Sequence, residues 1–263
     1  MNATGALVRS LPDSFDSALQ IEKVKINMKK AKSQHDNYHH VLQKYVQLTE
    51  LDNLPDYPDS CFVEDICIVV GKRAVINNLG AESRKGEAKS GEKALRALGY
   101  EVAVMPSNMT CDGGDVLYTG NNLFLGLSAR TSKEAVDFLS KHLQIPAYGI
   151  KVHHTILHLK SVLGLLGPNV LSCWDSEAGR MMVNQILKIE KMEVVFTPSQ
   201  ILSNSLSFIT KGKLIVFIQV TPETQKFQKD LLKLLPDAII EQVDMSELAL
   251  ADGALTCCSV LLQ

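Results

Sequence analysis

Val116-Leu117-Tyr118-Thr119-Gly120-Asn121-Asn122-Leu123-Phe124-Leu125 reads as two short apolar runs joined across a Gly-Asn-Asn turn. Aliphatic and aromatic runs separated by a few turn residues predict a β-hairpin. The pattern recurs three more times. Gly71-Lys72 joins a β-rich run at 61–70, interrupted by Glu64 and Asp65, to Ala74-Val75-Ile76. Gly167-Pro168-Asn169 joins Val162-Leu163 to Val170-Leu171, and Lys211-Gly212-Lys213 joins Phe208-Ile209 to Leu214-Ile215-Val216. The turn glycines 71, 120, 167 and 212 are therefore 49, 47 and 45 residues apart. Such a period is the mark of a repeat architecture.

Helical patterns follow each hairpin, at 86–98, 131–142, 176–191 and 224–235, with Thr131-Ser132-Lys133-Glu134 fitting a capping box. Each leads into a further strand, at 101–104, 148–152, 193–196 and 239–243. The repeat is ββαβ. A fifth hairpin is absent as a continuous stretch, but Val260-Leu261-Leu262 can pair with Ala6-Leu7-Val8. That pairing closes a ring of five units and leaves no open edge. The expected fold is a five-bladed α/β propeller forming one catalytic domain over 1–263. A two-domain division is weaker, because no linker rich in Gly, Ser or Pro is present. Before the first full repeat, a long helix is expected from a cap at Asp16 or Ser17 to about Val46, with Ile21, Val24 and Met28 at helical spacing. Residues 52–60, which hold Pro55 and Pro58, are expected as loop.

Composition excludes several classes of function. With 27 basic and 29 acidic residues the net charge is −2, and no basic block exists. Nucleic acid and an electrostatic membrane anchor are thus not expected as partners. No apolar run approaches the ~18 residues of a membrane helix, and the first residues lack the charged and apolar regions of a signal peptide. Six cysteines, Cys61, Cys67, Cys111, Cys173, Cys257 and Cys258, are too sparse for a disulfide scaffold. A reduced, cytoplasmic protein is expected, monomeric or weakly homo-oligomeric.

A ring gathers its connecting loops at one axis, which makes a natural pocket. Asp59, Glu64 and Asp65 precede or enter the first hairpin, Asp112-Gly113-Gly114-Asp115 the second, and His158-Leu159-Lys160-Ser161 the third. The closing unit brings Cys257-Cys258, which a strand would point to opposite faces, one toward the pocket and one toward the interior. A cysteine nucleophile needs a histidine and often an orienting acid. No CxxC or HExxH spacing supports a structural or catalytic zinc site. Arg84 and Arg130 sit just after hairpins in similar small-residue contexts. Clustered carboxylates suit a planar cation with several N–H donors, and arginines suit a carboxylate. Nearby acids raise a thiol's pKa, and a bound cation reverses that. The substrate so described is an arginine-like amino acid.

These segments carry a resemblance across essentially the whole chain. Leu7-Val8-Arg9-Ser10-Leu11-Pro12, Pro58-Asp59, Phe62-Val63-Glu64-Asp65, Asp112-Gly113-Gly114-Asp115-Val116-Leu117, Gly126-Leu127-Ser128, Arg130-Thr131, Leu157-His158-Leu159-Lys160-Ser161 and Leu255-Thr256-Cys257-Cys258-Ser259 resemble the dimethylarginine dimethylaminohydrolases of the guanidino-group-modifying pentein superfamily. The resemblance implies the five-bladed propeller and hydrolysis of Nω-methylated arginines. It implies Cys257, His158 and Asp112 as nucleophile, acid–base and orienting acid. It further implies substrate contacts from Asp59, Glu64 and Asp65, from Arg84 and Arg130 at the amino-acid end, and from Leu19 and the backbone of Ala251. A larger aliphatic residue stands at the place of Ala251 in animal relatives, which a backbone contact tolerates. No cofactor is implied, although Cys257 with His158 forms a ligand pair through which zinc could inhibit. Arginine deimination, amidino transfer, and a catalytically silent propeller that binds a partner are the alternatives.

Overall fold

The computed structural model describes residues 2–263. Its chain order is β1 Gly5–Val8, α1 Met28–Leu42, β2 Gln47–Glu50, β3 Cys67–Val70, β4 Arg73–Ile76, α2 Lys89–Ala97 and β5 Glu101–Val104. Then come β6 Val116–Tyr118, β7 Leu123–Leu127, α3 Glu134–Leu143, β8 Ala147–Lys151, β9 Leu163–Gly167, β10 Val170–Trp174, α4 Glu177–Leu187 and β11 Glu193–Thr197. The last part holds a short α5 Gln200–Ser203, β12 Leu206–Thr210, β13 Lys213–Gln219, α6 Thr224–Leu234, β14 Ile239–Val243 and β15 Val260–Leu262.

These strands form five three-stranded sheets. In four of them an antiparallel hairpin is followed by a helix that returns the chain to a parallel third strand, as in β6–β7–β8. The fifth sheet has the same pattern assembled from the two ends of the chain. β15 lies antiparallel to β1, with Leu7 opposite Val260, and β2 lies parallel to β1. The ββαβ repeat and its closure by the termini are therefore as expected: the protein is a five-bladed α/β propeller. Middle strands such as β7 and β10 are buried almost throughout, whereas third strands such as β5 and β11 are half exposed. Buried parallel or sandwiched strands need continuous apolar runs, which is why the hairpins were the visible signal. Gly71, Gly120 and Gly212 hold positive φ at the hairpin turns, and Asn169 takes that conformation in the fourth.

Four local expectations are corrected. The first helix starts at Met28, capped by the Asn27 side chain, rather than at residue 17. Residues 15–17 form a 3-10 turn, and the stretch beyond it is an irregular strap. Side-chain carboxylates take its backbone N–H groups: Asp59 accepts from Leu19, Asp252 from Ile21 and Glu247 from Asn27. Local acceptors of this kind compete with the helix ladder, so the spacing of Ile21, Val24 and Met28 is coincidental. Thr131 does not cap α3, which begins at Glu134 without a side-chain cap; its hydroxyl bonds to Asp115 instead. Residues 63–66 are a 3-10 turn, so the strand there starts only at Cys67. Cys257 and Cys258 also lie on a 3-10 turn, ahead of the closing strand.

Candidate active site

Each blade's first strand is approached by a tight turn at the same end of the ring. These turns are Val63–Ile66, Gly113–Asp115, Leu159–Ser161, the Asn204-Ser205 link after α5, and Thr256–Cys258. They deliver Glu64 and Asp65, Asp112, His158 and Lys160, Asn204, and Cys257 to one region. Two cavities meet there, and both are lined by His158 and Cys257. The smaller, about 170 Å³, is also lined by Leu19, Asp59, Asp65, Arg84, Arg130 and Ala251. Glu64 lines the larger one. Asp112 lies beneath, fully buried, against His158. All ten residues singled out in the sequence thus converge.

The histidine is held from two directions. Its Nε2 is 3.2 Å from Asp112 Oδ2. Asp112 Oδ1 accepts the Gly80 N–H at 2.8 Å, which fixes the carboxylate. Asp115, also fully buried, accepts the backbone N–H of Leu159, next to the histidine, and hydroxyl hydrogens from Ser128 and Thr131. The glycines between these two acids are required by close approach. A Cβ on Gly113 would lie 1.9 Å from the Glu64 carbonyl oxygen, and one on Gly114 2.8 Å from His158 Nδ1. Burial alone would lower the His158 pKa. The Asp112 hydrogen bond and the charges of Asp115 and Asp65 outweigh it and carry it to about 9. The ring is therefore protonated at neutral pH.

The two thiols separate as anticipated, though by a turn rather than a strand. Cys257 is half-buried at the cavities, and Cys258 is fully buried, its thiol directed at the Ala254 carbonyl. Burial, then the charges of Glu64 and Asp65, push the Cys257 thiol well above its ordinary pKa. In the free protein it is a thiol rather than a thiolate.

The acids around it are already partnered. Glu64 accepts from Lys160 Nζ at 2.5 Å and from Thr256 Oγ1 at 2.8 Å. Asp65 accepts from Arg84 at 2.7 Å and from the Gly114 N–H at 2.8 Å. Burial would raise Asp65, but Arg84 and His158 hold its carboxyl below the usual range. Arg84 is buried and spends its remaining donors on Glu87 and the Phe62 carbonyl. Arg130, 3.6 Å from Asp112, keeps 21% of its side chain exposed. Both arginines line the smaller cavity, and Arg130 is the more exposed of the two.

Reading the sequence gave no role to Lys160, which it quoted only within a motif, and did not single out Asn204 or Glu87. Asn204 ties the fourth and closing blades together, donating to the Lys160 carbonyl and the Thr256 hydroxyl and accepting the Thr256 N–H. It occupies the fourth blade's equivalent of the other site positions, and the repeat period was the signal that could have found it. Among the described residues, Asp65, Asp112 and His158 form the single group of three metal-ligand side chains within reach of one another. Their atoms are engaged by Arg84, Gly80, Gly114 and each other, so a resident metal fits poorly. The Cys257–His158 pair considered for zinc faces both cavities.

Residues 6–204 match the family model of arginine deiminase. By sequence, the chain is 29% identical to a dimethylarginine dimethylaminohydrolase of Streptomyces coelicolor over 268 residues, covering 100% of this chain and 98% of the relative. It is 29% identical to that of Pseudomonas aeruginosa over 258 residues, with 96% and 95% covered. An uncharacterised protein of Aeropyrum pernix is 30% identical over 220 residues, with 82% and 77% covered. Among solved structures, a mutant of the Pseudomonas aeruginosa dimethylarginine dimethylaminohydrolase complexed with citrulline superposes with a TM-score of 0.84 at 24% identity, with 100% of both chains covered. The product-bound N-terminal domain of ArgZ, a cyanobacterial arginine dihydrolase, gives 0.83 at 16%, with 100% and 98% covered. At those identities the structural likeness speaks for the fold. No helix among the described residues is long and apolar enough to cross a membrane. The chain belongs to the arginine deiminase family of guanidino-modifying pentein enzymes, and along its whole length it is similar to dimethylarginine dimethylaminohydrolases.

Proposed function

We propose that this enzyme hydrolyses Nω-methylated arginines, asymmetric dimethylarginine and monomethylarginine, to citrulline and dimethylamine or methylamine. The observation that carries the reading is the convergence of Cys257 and His158 on the same cavities, with Asp112 bonded to the imidazole. The end-to-end likeness to dimethylarginine dimethylaminohydrolases supports it.

The guanidinium is resonance-stabilised, so water alone attacks it poorly. Arg130 and Asp59 hold the amino-acid end, with Leu19 and the Ala251 backbone beside them, and Asp65 with Glu64 faces the cation. Arg84 acts through Asp65, keeping that carboxylate ionised. Arrival of the cation offsets the negative field that keeps Cys257 protonated, and the thiol proton leaves to solvent. The thiolate attacks the central guanidinium carbon. His158, cationic and steadied by Asp112, donates its proton to the departing amine as the C–N bond breaks. A planar thiouronium on Cys257 remains. The neutral His158 takes a proton from water and the hydroxide adds to the same carbon; the C–S bond then breaks, and the hydroxyl proton passes to the departing thiolate, restoring the Cys257 thiol and releasing citrulline. No metal or organic cofactor enters these steps.

The arginine deiminase family model keeps plain arginine as the second reading. Citrulline release from dimethylarginine, monomethylarginine and arginine, supplied separately, tests both. Release from the methylated substrates is expected. Release from arginine alone overturns the methylarginine assignment, and release from none favours a silent binding module.

A further inference from the structure

The two cavities that share His158 and Cys257 differ in size and lining. The smaller is charged, with Asp59, Asp65, Arg84 and Arg130 in its walls. The larger, about 430 Å³ against 170 Å³, has walls of neutral amides and aliphatic side chains, including Gln200, Asn204, Gln219, Ile201, Leu157 and Leu250. Besides the shared His158, four charged residues touch it. Glu64 and Lys160 neutralise each other, Asp252 is tied to the Ile21 N–H, and Glu22 stands exposed. Its mouth carries Ile21, Val24 and Ile201, which are 67%, 47% and 43% exposed. Scattered surface aliphatics need no explanation, but three around one opening mark a place where an apolar group is covered. Ile201 is held in position, because buried Gln219 donates to its carbonyl at 3.2 Å.

We propose that the larger cavity is a subsite for the leaving amine, and that the enzyme hydrolyses arginines whose Nω substituent is an alkyl or aralkyl chain longer than methyl, releasing the matching primary amine. This rests on the guanidine-hydrolase reading above. The smaller cavity offers a zwitterionic amino-acid end the partly exposed Arg130 together with Asp59, whereas the one lysine of the larger cavity is bound by Glu64. With the guanidinium carbon at Cys257, the plane of the group sends one terminal nitrogen away from its own side chain, into the larger cavity. Two methyl carbons leave most of that space unfilled. The bonds made and broken are those of the methyl case: water adds, the C–N bond to the substituted nitrogen breaks, and His158 supplies the proton to the amine.

Citrulline is the common product, so one assay serves arginine and its Nω-methyl, propyl, butyl and benzyl derivatives. In the wild type, kcat/KM for butylarginine is expected within about tenfold of methylarginine, since a cavity with room to spare discriminates weakly per methylene. Ile201→Trp, which fills the cavity, is expected to lower the butyl-to-methyl ratio by about tenfold or more. A butyl derivative turned over a hundredfold less well than methylarginine, or an Ile201→Trp effect equal on both, overturns the subsite while methylarginine hydrolysis stands. Hydrolysis of arginine alone overturns both readings. Turnover of no guanidine at all likewise overturns both readings.

Discussion

His158 and His35 are both removed from bulk water, yet their surroundings drive them in opposite directions. His158 faces Asp112, Asp115 and Asp65, which overcome the cost of burial and raise its pKa to about 9. His35, on α1, is fully buried, has no hydrogen-bond partner on either ring nitrogen, and stacks edge-on against His39 at 4.3 Å. Burial, with a small contribution from His39, takes its pKa down to about 3, and burial takes His39 to about 4. Burial does not decide whether an imidazole is an acid; neighbouring carboxylates do. The same rule separates a site that can donate protons from a patch that is only packing.

The sharpest way to break that contrast is by turnover. Cys257→Ser should lower citrulline release by roughly 10³-fold or more, and His158→Asn by about 10²–10⁴-fold. His35→Leu and Cys258→Ser should leave kcat/KM close to that of the wild type. If His35→Leu or Cys258→Ser were the inactive protein, the site has been placed on the wrong histidine or the wrong thiol.

Next in size is the balance of the acids around the site. Arg84→Met strands Asp65 and Glu87 as buried carboxylates, and urea denaturation should show a loss of about 3–5 kcal/mol. A change below 1 kcal/mol would mean that these acids reach water without the arginine.

A smaller effect separates the two histidine regions by pH. His35 has a folded pKa below its unfolded value near 6.5, so the unfolded chain binds its proton first as the pH falls. Stability is then lost from about pH 6.5 downward, by about 2–3 kcal/mol at pH 4.5 for this one group. His158 has the opposite sign: its contribution is complete below about 6.5 and disappears as the pH rises through 9. Denaturation of His35→Leu at pH 7 and 4.5 should show the acid loss reduced. An unchanged slope would show that His35 is hydrated in the native state.

The smallest expected effect is a displacement rather than a loss. The alkaline limb of kcat/KM should follow the His158 proton. Asp112→Asn, which removes its hydrogen-bonded anion, should move that limb down by about one pH unit, or roughly 1.4 kcal/mol. A limb that stays in place would make Asp112 a scaffold rather than the group that sets the imidazole.

The legible part of this molecule was the part built from backbone periodicity. Hairpins with buried middle strands need unbroken apolar runs and turn residues, and both survive as a pattern in the letters near Gly71, Gly120, Gly167 and Gly212. The strap at residues 18–27 was misread because Ile21, Val24 and Met28 fit a helix, while the carboxylates that unmake it come from Asp59, Asp252 and Glu247, far away in sequence. Arg84 showed its charge but not its commitments, since Glu87 cannot be seen as its partner until the turn between them is folded. Lys160 stood inside a motif already quoted, yet a lysine among acids has no meaning before Glu64, 96 residues earlier, is known to touch it.

That lysine–glutamate contact also divides two spaces. Glu64 and Lys160 belong at once to the larger cavity beside Cys257 and to a narrow space running down the ring axis past Ser205, Ser207 and Ser259. The ion pair stands where the two spaces adjoin, so one contact forms part of the wall of both. In the proposed reaction, amine, water and citrulline would exchange through the two cavities that meet at Cys257.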